Sequence, residues 1–85
     1  MASYSVRVKS SAIKELESLP PKDLARVAMR IEGLATDPRP PGCEKLSGQE
    51  RYRLRQGDYR ILYEVDDPRL VVTIVKVGHR REVYR

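Results

Sequence analysis

The sequence predicts an α+β fold: a helical hairpin packed on one face of a mostly antiparallel four-stranded sheet, in the order β-α-α-β-β-β. Three stretches predict it. Residues 49–63, QERYRLRQGDYRILY, alternate with a period of two on either side of a Gly-Asp turn, the pattern of a β-hairpin. Residues 10–35 hold two stretches of helical period split by Pro20-Pro21. Residues 70–77, LVVTIVKV, are the most β-prone run in the chain. With 85 residues and no linker, repeat or low-complexity tract, residues 1–85 read as a single domain.

In chain order, Tyr4 to Lys9 alternates and reads as a strand with Tyr4, Val6 and Val8 on its apolar face. Ser10 or Ser11 is the expected cap of the first helix. Ile13, Leu16 and Leu19 form its apolar stripe, and Lys14, Glu15 and Glu17 face water. Pro20-Pro21 ends that helix, because neither residue donates a backbone hydrogen bond, and the second proline suits the first position of the next helix. Asp23 in that first turn complements the helix dipole. Leu24, Val27, Ala28, Ile31, Leu34 and Ala35 continue the helical period, and Pro38 pushes Asp37 out of helical angles. Residues 39–48, rich in proline and glycine, read as a loop with Leu46 tucked beneath it.

The hairpin follows. Because side chains alternate between faces, the register decides what the arginines meet. Leu54 opposite Ile61 puts Tyr52, Leu54, Ile61, Tyr63 and Val65 on one apolar face, and Arg53, Arg55 and Arg60 together on the other. The alternative register drives arginines into the apolar face, which is costly without partners. Asp58 reads as a turn residue and Tyr59 as packing the turn. After the turn at 66–69, pairing of Val65 with Leu70 sends Leu70, Val72 and Ile74 into the core. Val71, Thr73 and Val75 then lie beside Leu62 on the arginine face. That apolar patch needs a cover, either a partner segment, which is favoured, or the C-terminal tail.

The formal net charge is +5 and the pI about 9.7. Residues 1–44 carry seven basic and six acidic side chains, while residues 45–85 carry ten and six. The second half is therefore the expected surface for a polyanion. Cys43 is the sole cysteine and His79 the sole histidine, which excludes an internal disulfide and a cysteine-based zinc site. No metal or other cofactor is expected. The start lacks the apolar core of a secretory signal and no apolar run approaches ~18 residues, so a cytoplasmic location is the expectation.

Taken together, Leu34-Ala35-Thr36-Asp37-Pro38, Lys45-Leu46-Ser47-Gly48, Tyr52-Arg53-Leu54-Arg55, Gly57-Asp58-Tyr59-Arg60-Ile61-Leu62-Tyr63 and Val77-Gly78-His79-Arg80-Arg81-Glu82-Val83-Tyr84 give the chain a likeness along nearly its whole length. The sequence is similar to the RelE-like toxins of bacterial type II toxin–antitoxin systems, within the RelE/ParE superfamily. The resemblance implies a RelE-like fold and an endoribonuclease that enters the decoding site of the small ribosomal subunit and cuts messenger RNA there. It implies a cognate antitoxin that wraps and blocks the toxin in a hetero-oligomeric complex.

It also implies a reaction: the ribose 2′-hydroxyl attacks the adjacent phosphate, giving a cyclic phosphate and a free 5′-hydroxyl. That needs a base, positive charge around the phosphorane, and an acid for the leaving oxygen. Arg53, Arg55, Arg60 and Arg80 match family positions for phosphate contact and transition-state charge, and Tyr84 matches the C-terminal tyrosine that stacks on a base. Some relatives carry lysine at the first two positions. Arginine stays protonated, so positions 53 and 55 are poorly suited to acid–base work here. Tyr84 reads equally as an aromatic packing the tail onto the sheet. As a base it needs arginines to lower a pKa ordinarily near ~10. Histidine is the side-chain type whose ordinary pKa lies near neutrality, so His79 is a second candidate acid or base, though a lone histidine near a strand end is more often simply exposed. Lys45, Arg51 and Arg81 are further candidates for RNA contact, Arg81 also competing with Arg80. Two alternatives stand beside the ribonuclease: a ParE-like toxin that binds and poisons DNA gyrase without cutting RNA, and an inactive binding module. One fold serves all three.

Overall fold

The order of elements is β1 (Ser5–Val8), α1 (Ser10–Glu17), α2 (Pro21–Gly33), β2 (Glu44–Lys45), β3 (Arg51–Gln56), β4 (Tyr59–Asp66) and β5 (Val71–His79). The computed structural model describes residues 3–46 and 50–79. The strands form one sheet in the order β1-β5-β4-β3-β2. Only the β1–β5 pairing is parallel, so the sheet is mostly antiparallel as expected, but it has five strands rather than four. The addition is β2, inside the stretch read as a loop. Its Glu44 and Lys45 pair with Arg53 and Tyr52. Two residues are too few to show a period.

The β3–β4 register is the expected one, with Leu54 opposite Ile61, Tyr52 opposite Tyr63 and Arg55 opposite Arg60. The loop between the strands is only Gly57-Asp58, and Gly57 takes φ +60°, the left-handed angle that a tight hairpin needs and a side chain resists. The β4–β5 register differs from expectation. Val65 pairs with Val72, not Leu70. The turn is two residues longer than assumed, and Leu70 closes it at φ 56° with 38% of its surface exposed. A shift of two preserves the facing of every side chain, so Val72 and Ile74 still enter the core. Beyond them a bulge opposite Leu62 and Tyr63 makes Val75 the extra residue and turns Val77 inward.

The core lies between the helices and one sheet face. It is built from Ala12, Val27, Ile31 and Leu34 of the helical layer against Leu54, Ile61, Tyr63, Val72, Ile74 and Val77, with Tyr4, Val6, Val8, Leu16 and Leu19 at its margin. Burying one such large side chain stabilises the fold by roughly 1.5–3 kcal/mol. Pro21 opens α2 and Asp23 sits in its first turn, as expected. In α1 the cap is Lys9, with no side-chain cap bond, and Ser10 is already helical. Ala12, not Ile13, points to the core, and Ile13 is 43% exposed. Glu15, expected in water, accepts hydrogen bonds from the backbone N–H of Val77 (2.9 Å) and from Lys76 Nζ (3.1 Å). It does so beyond Ile74, where β1 no longer pairs with β5. Leu62 is 4% exposed, and Val71 and Val75 are half-buried, with Val71 opposite Asp66 rather than beside Leu62.

The loop after α2 is pinned by two side chains. Tyr63 donates its buried hydroxyl to the Pro38 carbonyl (2.8 Å) and stacks on Tyr52, with ring centroids 5.6 Å apart. Arg39 lies over the Tyr52 ring. It donates to the Tyr52 hydroxyl (2.9 Å), to both carboxylate oxygens of Asp67 (3.1 and 2.8 Å) and to Glu50 (3.2 Å). Among the described residues, no helix is long and apolar enough to cross a membrane.

Candidate anion-binding cleft

The tight Gly57-Asp58 turn places Arg55 and Arg60 opposite each other, one position inside the closing pair Gln56 and Tyr59. Arg53 stands two residues back along β3 on the same face. Arg53, Arg55 and Arg60 line one open cleft of about 590 Å³ together with Gly42, Cys43 and Glu44. The far wall is the loop that Tyr63 and Arg39 hold down, which joins β2 to the rim.

The three guanidinium groups are differently engaged. Arg53 donates Nη2 (2.8 Å) and Nε (3.2 Å) to Oε1 of Glu44 across the β2–β3 pair. Arg55 is exposed and makes a long bond from Nε to the Gly57 carbonyl (3.4 Å). Arg60 buries Nη1 with no hydrogen-bond partner among the described residues. Glu44 is held below the usual carboxylate range, first by its hydrogen bond from Arg53 and then by the charges of Arg53 and Arg60.

The other candidates lie elsewhere. Arg51 forms an ion pair with Glu64 across β3–β4. Lys45 pairs with Glu50 (2.8 Å), a contact that raises the lysine pKa and lowers that of the carboxyl. His79 lies edge-on to Tyr59, ring centroids 6.0 Å apart. It borders a separate cleft of about 270 Å³ with Glu15, Ser18 and Leu19 rather than the arginine cleft. The Tyr59 hydroxyl bonds Asp23 (3.2 Å), and burial, then that bond, raises its pKa. Arg80, Arg81 and Tyr84 lie outside the described residues. Gly78 sits opposite Arg60, so β5 reaches its end beside the cleft. At the opposite end of the sheet, Glu50, Glu64, Asp66 and Asp67 border an open hollow of about 550 Å³ with Arg7 and Arg69. The surface is thus divided into a cationic end at the hairpin turn and an acid-rich end at the 66–70 turn.

Glu44, Cys43 and Arg39 had no signal in the sequence. They sit in a proline-rich stretch without periodicity, and only the fold brings them to the hairpin. Among the described residues, no cluster of three or more His, Cys, Asp or Glu side chains is arranged to hold a metal. Clustered, permanently charged planar donors suit phosphate and phosphorane oxygens and do not move protons.

Fold and cleft together define a small basic α+β protein with an arginine-lined cleft built on a β-hairpin. The family model for the ParE toxin of type II toxin–antitoxin systems, parDE, matches residues 6–84. The chain is 37% identical to the toxin RelG of Mycobacterium tuberculosis over 96% of its own length and 97% of the relative's. It is 30% identical to a RelE1 toxin of Methanocaldococcus jannaschii, with 96% of each chain covered. Among solved structures, the RelBE2 toxin–antitoxin complex of M. tuberculosis superposes with a TM-score of 0.82 at 35% identity, covering 94% of each chain. The archaeal RelE–RelB complex of Pyrococcus horikoshii gives 0.81 at 30% identity, covering 92% of this chain and 96% of that one. The chain belongs to the ParE toxin family of type II toxin–antitoxin systems, within the RelE/ParE superfamily.

Proposed function

We propose that this toxin is a ribosome-dependent endoribonuclease that cuts messenger RNA in the decoding site. The observation that carries the reading is the convergence of Arg53, Arg55 and Arg60 on one cleft. In the reaction, the ribose 2′-oxygen bonds to phosphorus and loses its proton to a base. The bond from phosphorus to the 5′-oxygen breaks and that oxygen takes a proton, leaving a cyclic phosphate. Arg53, Arg55 and Arg60, with Arg80, neutralise the charge that builds on the non-bridging oxygens. Proton transfer falls to Tyr84 or His79 or to a group of the RNA, since arginine does not titrate. Arg81 contacts RNA backbone outside the reacting phosphate, and Lys45 and Arg51 do so by exchanging their partners Glu50 and Glu64 for phosphate.

An open cleft in a domain of 85 residues has little surface with which to order its substrate, so the ribosome supplies the orientation. The partner that silences the toxin is a cognate antitoxin, as in the RelBE2 and archaeal RelE–RelB complexes of its relatives. Primer extension on a messenger RNA, with and without ribosomes, tests the reading: cuts are expected only with ribosomes. Efficient cutting of free transcripts contradicts the ribosome dependence, and no cutting in either arm contradicts the nuclease. The second reading, a gyrase poison, draws on the name of the matching family model. In that case the protein stabilises gyrase–DNA cleavage complexes and leaves messenger RNA intact.

A further inference from the structure

We infer that Glu44 is an affinity-setting residue of the cleft, a built-in competitor whose carboxylate occupies Arg53 until a phosphate of the RNA displaces it. The inference rests on reading the cleft as a phosphate site. Glu44 is the only carboxylate among the described residues that line it. Both Arg53 bonds, from Nη2 at 2.8 Å and Nε at 3.2 Å, end on the same oxygen, Oε1. One bidentate edge of the Arg53 guanidinium, Nε with Nη2, is therefore already taken by an anion of the same hydrogen-bonding type.

The contact is built to be released. The Glu44 side chain is 66% exposed and that of Arg53 only 28%, so the carboxylate can leave for water while the guanidinium stays at the cleft wall. Exposed ion pairs contribute little to stability, so giving this one up costs little. Glu44 belongs to a strand of two residues whose backbone is separately tied by Cys43 N–H to the Pro40 carbonyl (3.1 Å) and Leu46 N–H to the Arg51 carbonyl (2.8 Å). Displacing the side chain therefore leaves the wall of the cleft in place. A phosphate must evict Glu44 to reach the Nε–Nη2 edge of Arg53. A strand of RNA already gripped by Arg55 and Arg60 meets that same competitor at a raised local concentration of phosphate.

The test is binding of a short single-stranded RNA made non-cleavable by 2′-deoxy substitution, followed by fluorescence anisotropy over a salt series. The proteins are the full chain, Glu44→Gln, Glu44→Ala, Arg53→Gln and the double variant Glu44→Gln/Arg53→Gln, each first shown to melt cooperatively. Both Glu44 variants are expected to bind several-fold more tightly than the full chain. Their dependence of log affinity on log salt is expected to match that of the full chain, because Arg53 contacts the same phosphate in both once Glu44 is displaced. In the Arg53→Gln background the gain from Glu44→Gln is expected to fall away, since the competitor then guards nothing. Unchanged or weaker binding by the Glu44 variants overturns the inference. A gain of equal size without Arg53 also overturns it, because that is only a change in overall charge. RNA binding by neither form overturns it as well. Cleavage on ribosomes is scored separately, so a protein that binds as described but does not cut removes the nuclease reading and leaves this one standing.

Discussion

Arg55 and Arg60 face each other directly across the β3–β4 hairpin, one register position from its turn. Like charges opposite one another on a sheet are unfavourable, and cross-strand pairs change stability by roughly 0.2–1 kcal/mol. Solvent screens the exposed Arg55. Replacing Arg55 with glutamine is therefore expected to stabilise the fold by about 0.5 kcal/mol or less, raising the melting temperature by at most about 2–4 °C. The same change is expected to weaken RNA binding. Thermal melting and anisotropy on one preparation check both; a variant that melts lower while binding RNA as well as the parent contradicts the assignment.

Tyr63 ties the loop that carries Glu44 to the core. Tyr63→Phe keeps the stacking on Tyr52 but leaves the Pro38 carbonyl without its donor. The expected cost is about 1–3 kcal/mol in chemical denaturation. Burial, with a smaller contribution from Cys43, raises the Tyr63 pKa well above the usual range. Stability from the neutral phenol is therefore complete below the ordinary tyrosine value near ~10 and is lost as pH rises through the higher folded value. In alkaline titration, wild type minus Tyr63→Phe should show no tyrosinate absorbance until the fold opens. Ionisation with the ordinary tyrosines contradicts the burial argument.

Acid behaviour should be governed by Arg39. Its hydrogen bonds hold Asp67 below the usual carboxylate range and help lower Glu50, on which Lys45 acts first. Groups with lowered folded pKa stabilise fully above the unfolded range near ~4 and lose that contribution as pH falls through their folded values. Urea midpoints are expected to be level from about pH 7 to about pH 5 and to drop below about pH 4. Arg39→Ala should lower the midpoint at neutral pH and flatten the acid limb. Parallel limbs in the two proteins contradict Arg39 as the cause.

The parts of the fold that were readable are those where one local rule acts alone. Strict alternation on both sides of Gly57 specified the β3–β4 register, and with it the union of Arg53, Arg55 and Arg60 on one face. Pro20-Pro21 specified the break between helices. What escaped depends on contacts distant in sequence. β2 exists because β3 offers an edge, and its own two residues carry no pattern. The turn at 66–70 and the bulge at Leu62 and Tyr63 follow from how β5 must meet β4 and β1 together. Glu15 looked like a solvent residue because its partner, the Val77 amide, is 62 residues away. Arg39 and Glu44 were hidden in the same way, inside a stretch that composition marks only as loop.

The most direct measurement of the central claim is the single-turnover rate of messenger RNA cleavage on programmed ribosomes, compared between the full chain and Arg60→Ala. The variant is first shown by melting to be folded. Loss of one preorganised donor to a transition-state oxyanion typically lowers the rate by ~10²–10³. A folded Arg60→Ala protein is therefore expected to cut slower by about that factor. A folded variant that cuts messenger RNA at the parent rate contradicts the assignment of the reaction to the cleft formed by Arg53, Arg55 and Arg60.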